Sequence, residues 1–243
     1  MSVADIDINS LALKTELNQK VWGEDGHLHE EVRSKLLTIA EDFFEELGIP
    51  WAKLEDVRFT GSLANYNWSE YSDIDLHLVV DYLLVDENED FVEAYFAARK
   101  NLWNNDHDIT IHGFDIEVYV ENSGEPHVST GVYSVLLGEW IKKPVLEKPA
   151  IDKEAIRKKS KVLVRLIDDL VWKRFINKDY EGAIKSSERM HAKLKKMRQC
   201  GLDRDGEYST ENLTYKILRR NGYLDKLRDT KLDAYDALLT IGD

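Results

Sequence analysis

The sequence predicts an α+β protein in which a mixed half of strands and helices precedes an all-helical half. Residues 73–80, DIDLHLVV, alternate apolar and polar side chains, as a half-buried strand does. DITI and FDIEVYV flank His112-Gly113, a spacing typical of a β-hairpin. From residue 152 onward, apolar residues recur at helical spacings of three and four. The change of pattern predicts an N-terminal arm at 1–27, a mixed domain at 28–148 and a helical domain at 149–243.

Helix-breaking and capping residues bound the other predicted elements. Apolar residues from Leu28 to Leu47 recur at helical spacing, and Gly48 and Pro50 end that helix. LEDVRFT at 54–60 predicts a short strand, and Asp86 predicts the N-cap of a helix over about 88–104. In the second half, two long helices are predicted at about 152–177 and 180–199, followed by a polar turn at 201–206. A further helix, capped by Ser209 or Thr210, ends at 221–222, and a last helix covers about 223–240.

Composition excludes several classes of protein. No apolar run approaches the roughly 18–20 residues that a membrane span needs. The opening MSVADIDINS lacks the basic start and apolar stretch of a secretory signal. Cys200 is the only cysteine, which excludes an internal disulfide and a cysteine metal cluster. We therefore expect a cytoplasmic protein with no membrane partner.

The charge is unevenly distributed along the chain. The net charge of −13 argues against a protein that coats long nucleic acid. Residues 153–198 nevertheless hold 15 Lys and Arg against 6 Asp and Glu, whereas residues 1–152 hold 11 against 31. The basic segment either attracts phosphate or forms a solvated helix face. It keeps a short RNA open as a partner.

Two short motifs carry the chemistry. The strand at 54–60 leads into Gly61-Ser62, a loop or short helix of ten residues follows, and the next strand opens with Asp73-Ile74-Asp75. Strand geometry puts both aspartates on one face, where a cation relieves their repulsion, and oxygen ligands suit magnesium. The Gly-Ser motif suits a phosphate group for three reasons. Glycine lets the phosphate approach the backbone closely, and backbone amides at the start of a following helix would point at the anion. Ser62 adds a hydroxyl donor. The motifs together predict the two ends of a nucleoside triphosphate site.

The two motifs resemble the signature of the DNA polymerase beta-like nucleotidyltransferase superfamily. That signature is Gly-Ser, a gap, and Asp-x-Asp between hydrophobic residues, often after a small polar residue such as Ser72. GSLANYNWSEYSDIDLHLVVD and FDIEVYV are similar to small nucleotidyltransferase-like proteins of tailed phages. The resemblance covers roughly residues 28–145. It implies a nucleotidyltransferase core, a mixed sheet with flanking helices, and for a phage protein the cytoplasm of a host cell.

The resemblance also implies a third acid on a later strand. Asp115 and Glu117 both lie on the polar face of FDIEVYV. In minimal members of the superfamily this acid follows the turn glycine closely, and counting four residues from Gly113 gives Glu117. We therefore expect Asp73, Asp75 and Glu117 to hold Mg²⁺ or Mn²⁺, with Asp115 as the alternative third acid. Glutamate departs from the commoner aspartate of the family, and its longer reach affects the metal geometry.

The implied reaction transfers a nucleoside monophosphate from a nucleoside triphosphate to a hydroxyl and releases pyrophosphate. Gly61, Ser62 and Ser72 would hold the phosphates, and stripes of cations on the C-terminal helices, including Lys185 and Arg189, would touch the triphosphate. Three classes of acceptor stay open: a protein side chain, a small molecule or second nucleotide, and an RNA end. The alternative is a catalytically silent nucleotide-binding or virion-associated interaction protein on the same fold.

Residues near the motifs have two interpretations each. His77 shares a strand face with Asp75, and either approaches the acceptor or fills a structural role. The aromatic residues of the loop either stack on a base or pack the loop onto the core; they are Tyr66, Trp68 and Tyr71. VSTGVYSVLLGEW at 128–140 either lines the nucleotide pocket or packs within the fold.

Overall fold

The computed structural model describes residues 9–125, 129–146 and 149–241, and it confirms the α+β class. The chain divides into two compact units. The sheet unit spans Ala12–Glu147, and the helical unit combines the C-terminal helices with the described N-terminal residues 9–11. Residues 12–27, which the sequence analysis treats as an arm, thus belong to the same compact unit as the sheet.

A six-stranded mixed sheet and two helices make up the sheet unit. The helices are α1, Glu30–Glu46, and α2, Glu89–Asp106. The strands are β1 Leu54–Thr60, β2 Ile74–Val80, β3 Thr110–Ile111, β4 Phe114–Asn122, β5 Val132–Ser134 and β6 Glu139–Lys142. Their spatial order is β3-β4-β2-β1-β5-β6. β2 and β4 are parallel, so the chain needs a crossover between them, and α2 supplies it.

Most predicted elements of this unit are confirmed. β1 and β2 coincide with the predicted strands to within one residue. His112 and Gly113 both have positive φ, 52° and 85°, as a two-residue hairpin turn with the right twist requires. The stretch at 129–140 forms β5 and the start of β6, which were not predicted as strands because each is very short. This stretch therefore extends the sheet beside β1.

One hydrophobic core joins α1, α2 and an apolar face of the sheet. The predicted apolar residues of α1 are buried, and so are Ile74, Leu76 and Leu78 on β2. Trp22, from the N-terminal segment, stacks on Phe59 at 5.4 Å between ring centroids and on Trp140 at 4.6 Å. These contacts explain why residues 12–27 order against the sheet, since a buried tryptophan removes a large apolar area from water.

The predicted N-cap of α2 is wrong by two residues. The side chain of Asn88 accepts a hydrogen bond from the backbone N–H of Phe91 and so caps the helix. Asp86 instead accepts from the N–H of Asn88 at 2.8 Å, which turns the chain into the cap. Both residues are good caps by type, and only the backbone geometry decides which one is used.

The helical unit contains five helices in its described part. They are α3 Lys153–Ile167, α4 Lys173–Ile176, α5 Tyr180–Asp205, α6 Thr210–Arg220 and α7 Tyr223–Leu239, with a π-helical turn at Asp168–Trp172 joining α3 to α4. A core of leucine, isoleucine, valine and methionine residues holds α3, α5, α6 and α7 together. Among the described residues, no helix combines the length and the apolar character needed to cross a membrane.

The predicted polar turn at 201–206 is wrong, because α5 continues through Gly201 to Asp205. A Cβ at Gly201 would lie 2.5 Å from Cβ of Glu211 and 2.7 Å from Oγ of Ser209. The glycine here permits close packing of α5 against the start of α6. The helix ends at Gly206, whose φ of 70° suits glycine, and Ser209 caps α6 as predicted.

Lys216 on α6 allows the effect of a buried positive charge on the stability of this unit to be measured. Burial is the main cause that lowers the pKa of its ammonium, from 10.5 to about 8, and the guanidinium groups of Arg220, Arg219 and Arg198 contribute, with Glu207 opposing them. The charged form is thus disfavoured in the folded state. Between about pH 8 and pH 10.5 the unfolded chain binds more protons, so stability rises with pH across that window.

We expect Lys216→Met to raise the free energy of unfolding by about 1–2 kcal/mol at pH 7, because the ammonium no longer has to be buried. By pH 9.5 the gain should shrink, since the folded wild-type lysine is then mostly neutral. Urea unfolding at both pH values measures this difference. Lys193→Met, at an exposed position of α5, is the control and should change neither value. A gain that is equal at both pH values would contradict the assignment to buried charge.

Candidate functional site

The glycine of the Gly-Ser motif makes room for an acidic side chain. Gly61 has a φ of 78°, and a Cβ on it would lie 1.8 Å from Oδ2 of Asp75. The backbone at the end of β1 therefore passes directly beside the Asp75 carboxylate. β1 and β2 are antiparallel neighbours, and their register sets Thr60 opposite Asp75. The two motifs, separated along the chain, thus meet at one end of the strand pair.

The two serines of the site contact each other. Oγ of Ser62 donates a hydrogen bond to Oγ of Ser72 at 2.8 Å, and Ser72 also accepts from the backbone N–H of Ser69 at 2.9 Å. Of the loop or short helix expected after Ser62, the structure has the loop, since residues 61–72 form turns and bends. Phosphate binding at this loop would therefore rely on hydroxyl groups and turn amides, and a phosphate would compete with Ser72 for the Ser62 donor.

Pairing of β2 with β4 brings the predicted third acid beside the second. The parallel register sets Asp75 opposite Glu117. Both carboxylates are partly buried, and Asp73 immediately precedes β2. Asp115 is exposed and pairs with Thr110 on the edge strand β3. The geometry therefore associates Glu117, rather than Asp115, with Asp75. Whether these carboxylates hold a metal stays a prediction.

Tyr119 and Lys100 complete the immediate surroundings of the acids. The hydroxyl of Tyr119 donates a hydrogen bond to Oε2 of Glu117. Nζ of Lys100, on α2, lies 3.9 Å from the centroid of the Tyr119 ring. Burial is the first cause that raises the pKa of Tyr119, and the charges of Asp75, Glu117 and Asp73 add to it. Burial lowers the pKa of Lys100, while Glu117 and Asp75 oppose that shift. The carboxylates and the ammonium therefore share one electrostatic environment.

These two residues differ in how far the sequence could have revealed them. Tyr119 follows Glu117 by two positions, so strand alternation already places it on the same face. Lys100 carries no such signal, because a lysine on an amphipathic helix is ordinarily solvated. Only the packing of α2 beside β4 brings its ammonium to the acids.

A charged network continues along the same face of the sheet. Arg58 on β1 donates to Glu121 at 2.7 Å, and Nδ1 of His77 lies 3.2 Å from the other oxygen of that carboxylate. The ring of His77 stacks on Tyr119, with 4.8 Å between ring centroids and an angle of 14° between planes. His77 thus has structural contacts on two sides, which supports its structural interpretation.

The loop aromatics divide between packing and exposure. Nε1 of Trp68 donates to the backbone carbonyl of Glu16 at 2.9 Å, and the ring packs against the core. Tyr66 is half-buried, and its carbonyl accepts from the N–H of Lys14. Tyr71 keeps 44% of its surface exposed. The Trp68 side chain therefore packs the loop onto the core, and Tyr66 holds it through its backbone carbonyl.

The donor chemistry at the acids suits a hard divalent cation. Carboxylate oxygens from two neighbouring strands are the ligands that Mg²⁺ and Mn²⁺ prefer. However, the structure shows no group of three or more His, Cys, Asp or Glu side chains that could hold a metal ion in their present positions. This holds for the described residues, 9–125, 129–146 and 149–241. Metal binding would therefore require the side chains of Asp73, Asp75 and Glu117 to turn towards one point. The type of donor fits the ion.

The cations predicted to touch the triphosphate lie on the other unit. Lys185 and Arg189 are both exposed on α5 of the helical unit. Nζ of Lys185 is 3.6 Å from Oε2 of Glu181, one helical turn earlier. That contact is typical of a solvated helix surface. Nucleotide binding by Lys185 and Arg189 stays a prediction.

Comparison with known proteins adds little to this geometry. No family model matches the chain, and no curated protein matches it. A solved structure that matches is that of the "STING-associated CdnE c-di-GMP synthase from Capnocytophaga granulosa". The match has 12% sequence identity and a TM-score of 0.23, and it covers 87% of this chain and 84% of that one. A TM-score this low transfers neither fold nor function to this chain.

Proposed function

We propose that the sheet unit is a metal-dependent nucleotidyltransferase that transfers a nucleoside monophosphate from a nucleoside triphosphate to a hydroxyl acceptor. The observation that carries the proposal is the register of β2 and β4, which sets Asp75 opposite Glu117, next to the Gly61 turn. Carboxylates on neighbouring strands beside a glycine turn combine metal ligands with room for phosphate.

The chain's own groups can be given roles in that reaction. The acceptor oxygen forms a bond to the α-phosphorus, the bond from that phosphorus to the β-bridging oxygen breaks, and pyrophosphate leaves. The acceptor proton passes to a carboxylate, for which Glu117 is our candidate, because the Tyr119 hydroxyl orients it. Ser62 and the turn amides would hold the outer phosphates, with Lys100 as a nearby cation. Mg²⁺ held by Asp73, Asp75 and Glu117 would neutralise charge on the phosphates.

A second candidate function is nucleotide or protein binding without catalysis. Lys100 favours it, because its ammonium supplies positive charge next to Asp75 and Glu117. A carboxylate pair that already has a cationic neighbour needs a metal ion less than an isolated pair does. The two functions differ in whether a metal ion is required for binding.

The proposal is tested by titrating each of the four nucleoside triphosphates into the protein by calorimetry, with Mg²⁺, with Mn²⁺ and with EDTA. We expect at least one triphosphate to bind only when the metal is present. The variant Asp73→Asn/Asp75→Asn should lose that binding, because it keeps the shape of both side chains and removes their charge. Asp42→Asn/Asp90→Asn removes the same charge at exposed positions of α1 and α2, and should bind normally.

Each result separates the two functions. Metal-dependent binding that requires Asp73 and Asp75 supports the nucleotidyltransferase, and the preferred triphosphate then directs the search for the acceptor. Binding that is equal with EDTA supports the binding protein. If the folded wild type binds no triphosphate with either metal, the nucleotidyltransferase proposal is wrong.

A further inference from the structure

A cavity of about 410 Å³ opens beside the acids in the sheet unit. Its wall includes Tyr119 and Lys100, the two residues that also contact or face Glu117. The volume is in the range of small-molecule sites, which are roughly 300–1,000 Å³. The cavity therefore lies next to the proposed reaction centre and is large enough for a small molecule.

Three glutamates dominate the charge of the cavity. Among the described residues, Glu93 on α2, Glu121 on β4 and Glu125 after β4 line it, and Lys100 is the one lysine or arginine in that lining. Glu121 is already paired with Arg58, whereas in the described part of the chain neither Glu93 nor Glu125 lies within ion-pair distance of a cationic side chain. Both are exposed at the cavity surface. Two carboxylates are thus available to a ligand.

The acidic residues converge on one aromatic wall. The hydroxyl of Tyr82 donates to the carbonyl of Val120 at 3.1 Å, which fixes the ring in the wall. Burial raises the pKa of Tyr82 to about 12, and Glu93, Glu125 and Glu121 add to the shift. All three carboxylates thus lie near enough to Tyr82 to act on its hydroxyl, and all four residues line the cavity. Aromatic rings next to carboxylates favour ammonium groups, through charge and through cation–π contact.

The negative charge of the cavity indicates which substrate of the proposed reaction it would bind, the nucleoside triphosphate or the hydroxyl acceptor. A triphosphate would meet electrostatic repulsion from Glu93 and Glu125, which a protonated amine would not. Resting on the proposed function, we infer that the cavity is the acceptor site, and that it takes a small hydroxylated molecule that carries a protonated amine. Its ammonium would lie between Glu93 and Glu125, and its hydroxyl would lie at the Tyr119 end of the cavity, where the Tyr119 hydroxyl contacts Glu117.

The test uses three six-carbon polyols that differ in charge: glucamine, sorbitol and gluconate. Their binding to the full chain is measured by saturation-transfer NMR at pH 7, without nucleotide or metal. We expect glucamine to bind about fivefold to tenfold more tightly than sorbitol, and gluconate to bind least. Glu93→Gln/Glu125→Gln should bring glucamine to the level of sorbitol, because it removes the two available carboxylates and keeps their shape.

The matched control removes two glutamate charges elsewhere. Glu41→Gln/Glu45→Gln changes exposed positions of α1, outside the cavity wall, and should keep the preference for glucamine. Equal binding of glucamine and sorbitol by the wild type would overturn the inference, as would a preference that survives Glu93→Gln/Glu125→Gln. Tighter binding of gluconate would overturn it too and would indicate an anion site. None of these titrations includes a triphosphate, so their failure is distinct from failure of metal-dependent nucleotide binding.

Discussion

Gly61→Ala is expected to lose most of the metal-dependent nucleotide binding while the protein stays folded. The added Cβ would lie 1.8 Å from Oδ2 of Asp75 and 2.9 Å from its Cγ. Because that oxygen is the end of a short side chain, we expect the carboxylate to rotate away rather than the strands to separate. Displacing a metal ligand in this way should weaken triphosphate binding with Mg²⁺ about 100-fold, as measured by calorimetry. Urea unfolding should show a stability loss of about 1–2 kcal/mol from the strained backbone alone.

Gly48→Ala is the matched control for this substitution. Gly48 also has a positive φ, 66°, yet nothing lies within 4 Å of the position of its Cβ. The two variants thus share the backbone strain, and only Gly61→Ala displaces a carboxylate. Gly48→Ala should lose similar stability and keep full nucleotide binding. Normal binding by Gly61→Ala would contradict the role of Asp75 as a metal ligand.

Glu117→Gln and Asp115→Asn are expected to differ sharply, although the two residues lie on the same face of one strand. Glu117 stands opposite Asp75 in the β2–β4 register, whereas Asp115 is exposed and pairs with the edge strand. Removing one carboxylate charge from the site should weaken Mn²⁺ binding about 10-fold to 100-fold in Glu117→Gln. Asp115→Asn should stay within about twofold of the wild type, because its exposed carboxylate pairs with the edge strand rather than with Asp75 and acts on the site only through water.

Mn²⁺ binding is followed by electron paramagnetic resonance, which counts free ions and needs no acceptor. Tyr119→Phe serves as an intermediate case, since it removes the hydrogen bond to Glu117 and keeps the carboxylate. We expect its Mn²⁺ affinity to change less than that of Glu117→Gln. If Asp115→Asn proves the weaker binder, then Asp115 is the third acid and the register argument fails.

The local patterns that the sequence predicts correctly involve short chain distances. The alternation of 73–80, the turn at His112-Gly113 and the apolar spacing of α1 all arise between residues a few positions apart, and the structure confirms them. The choice of Glu117 over Asp115 came from the family resemblance. The register of β2 with β4 now adds a physical reason for that choice.

The sequence predictions fail where two local structures fit the same residues equally well. Asp86 and Asn88 are both suitable caps, and the structure uses Asn88. Gly201 has the composition of a turn, but the neighbouring start of α6 leaves space only for a hydrogen at that position of a continuing helix. In each case a contact with a different element decides the outcome, and no window of sequence contains that contact.

The sequence by itself determined strands β1 and β2, the strand face shared by Asp73 and Asp75, and the hairpin that carries Glu117, because periodicity and turn chemistry are local. Only the tertiary structure decided that Asp75 lies beside Gly61 and opposite Glu117, that Lys100 lies among the acids, and that a cavity with Glu93 and Glu125 opens next to them. These relations depend on strand pairing and on the packing of α2 beside β4. Such long-range contacts arise when distant segments bury apolar surface together.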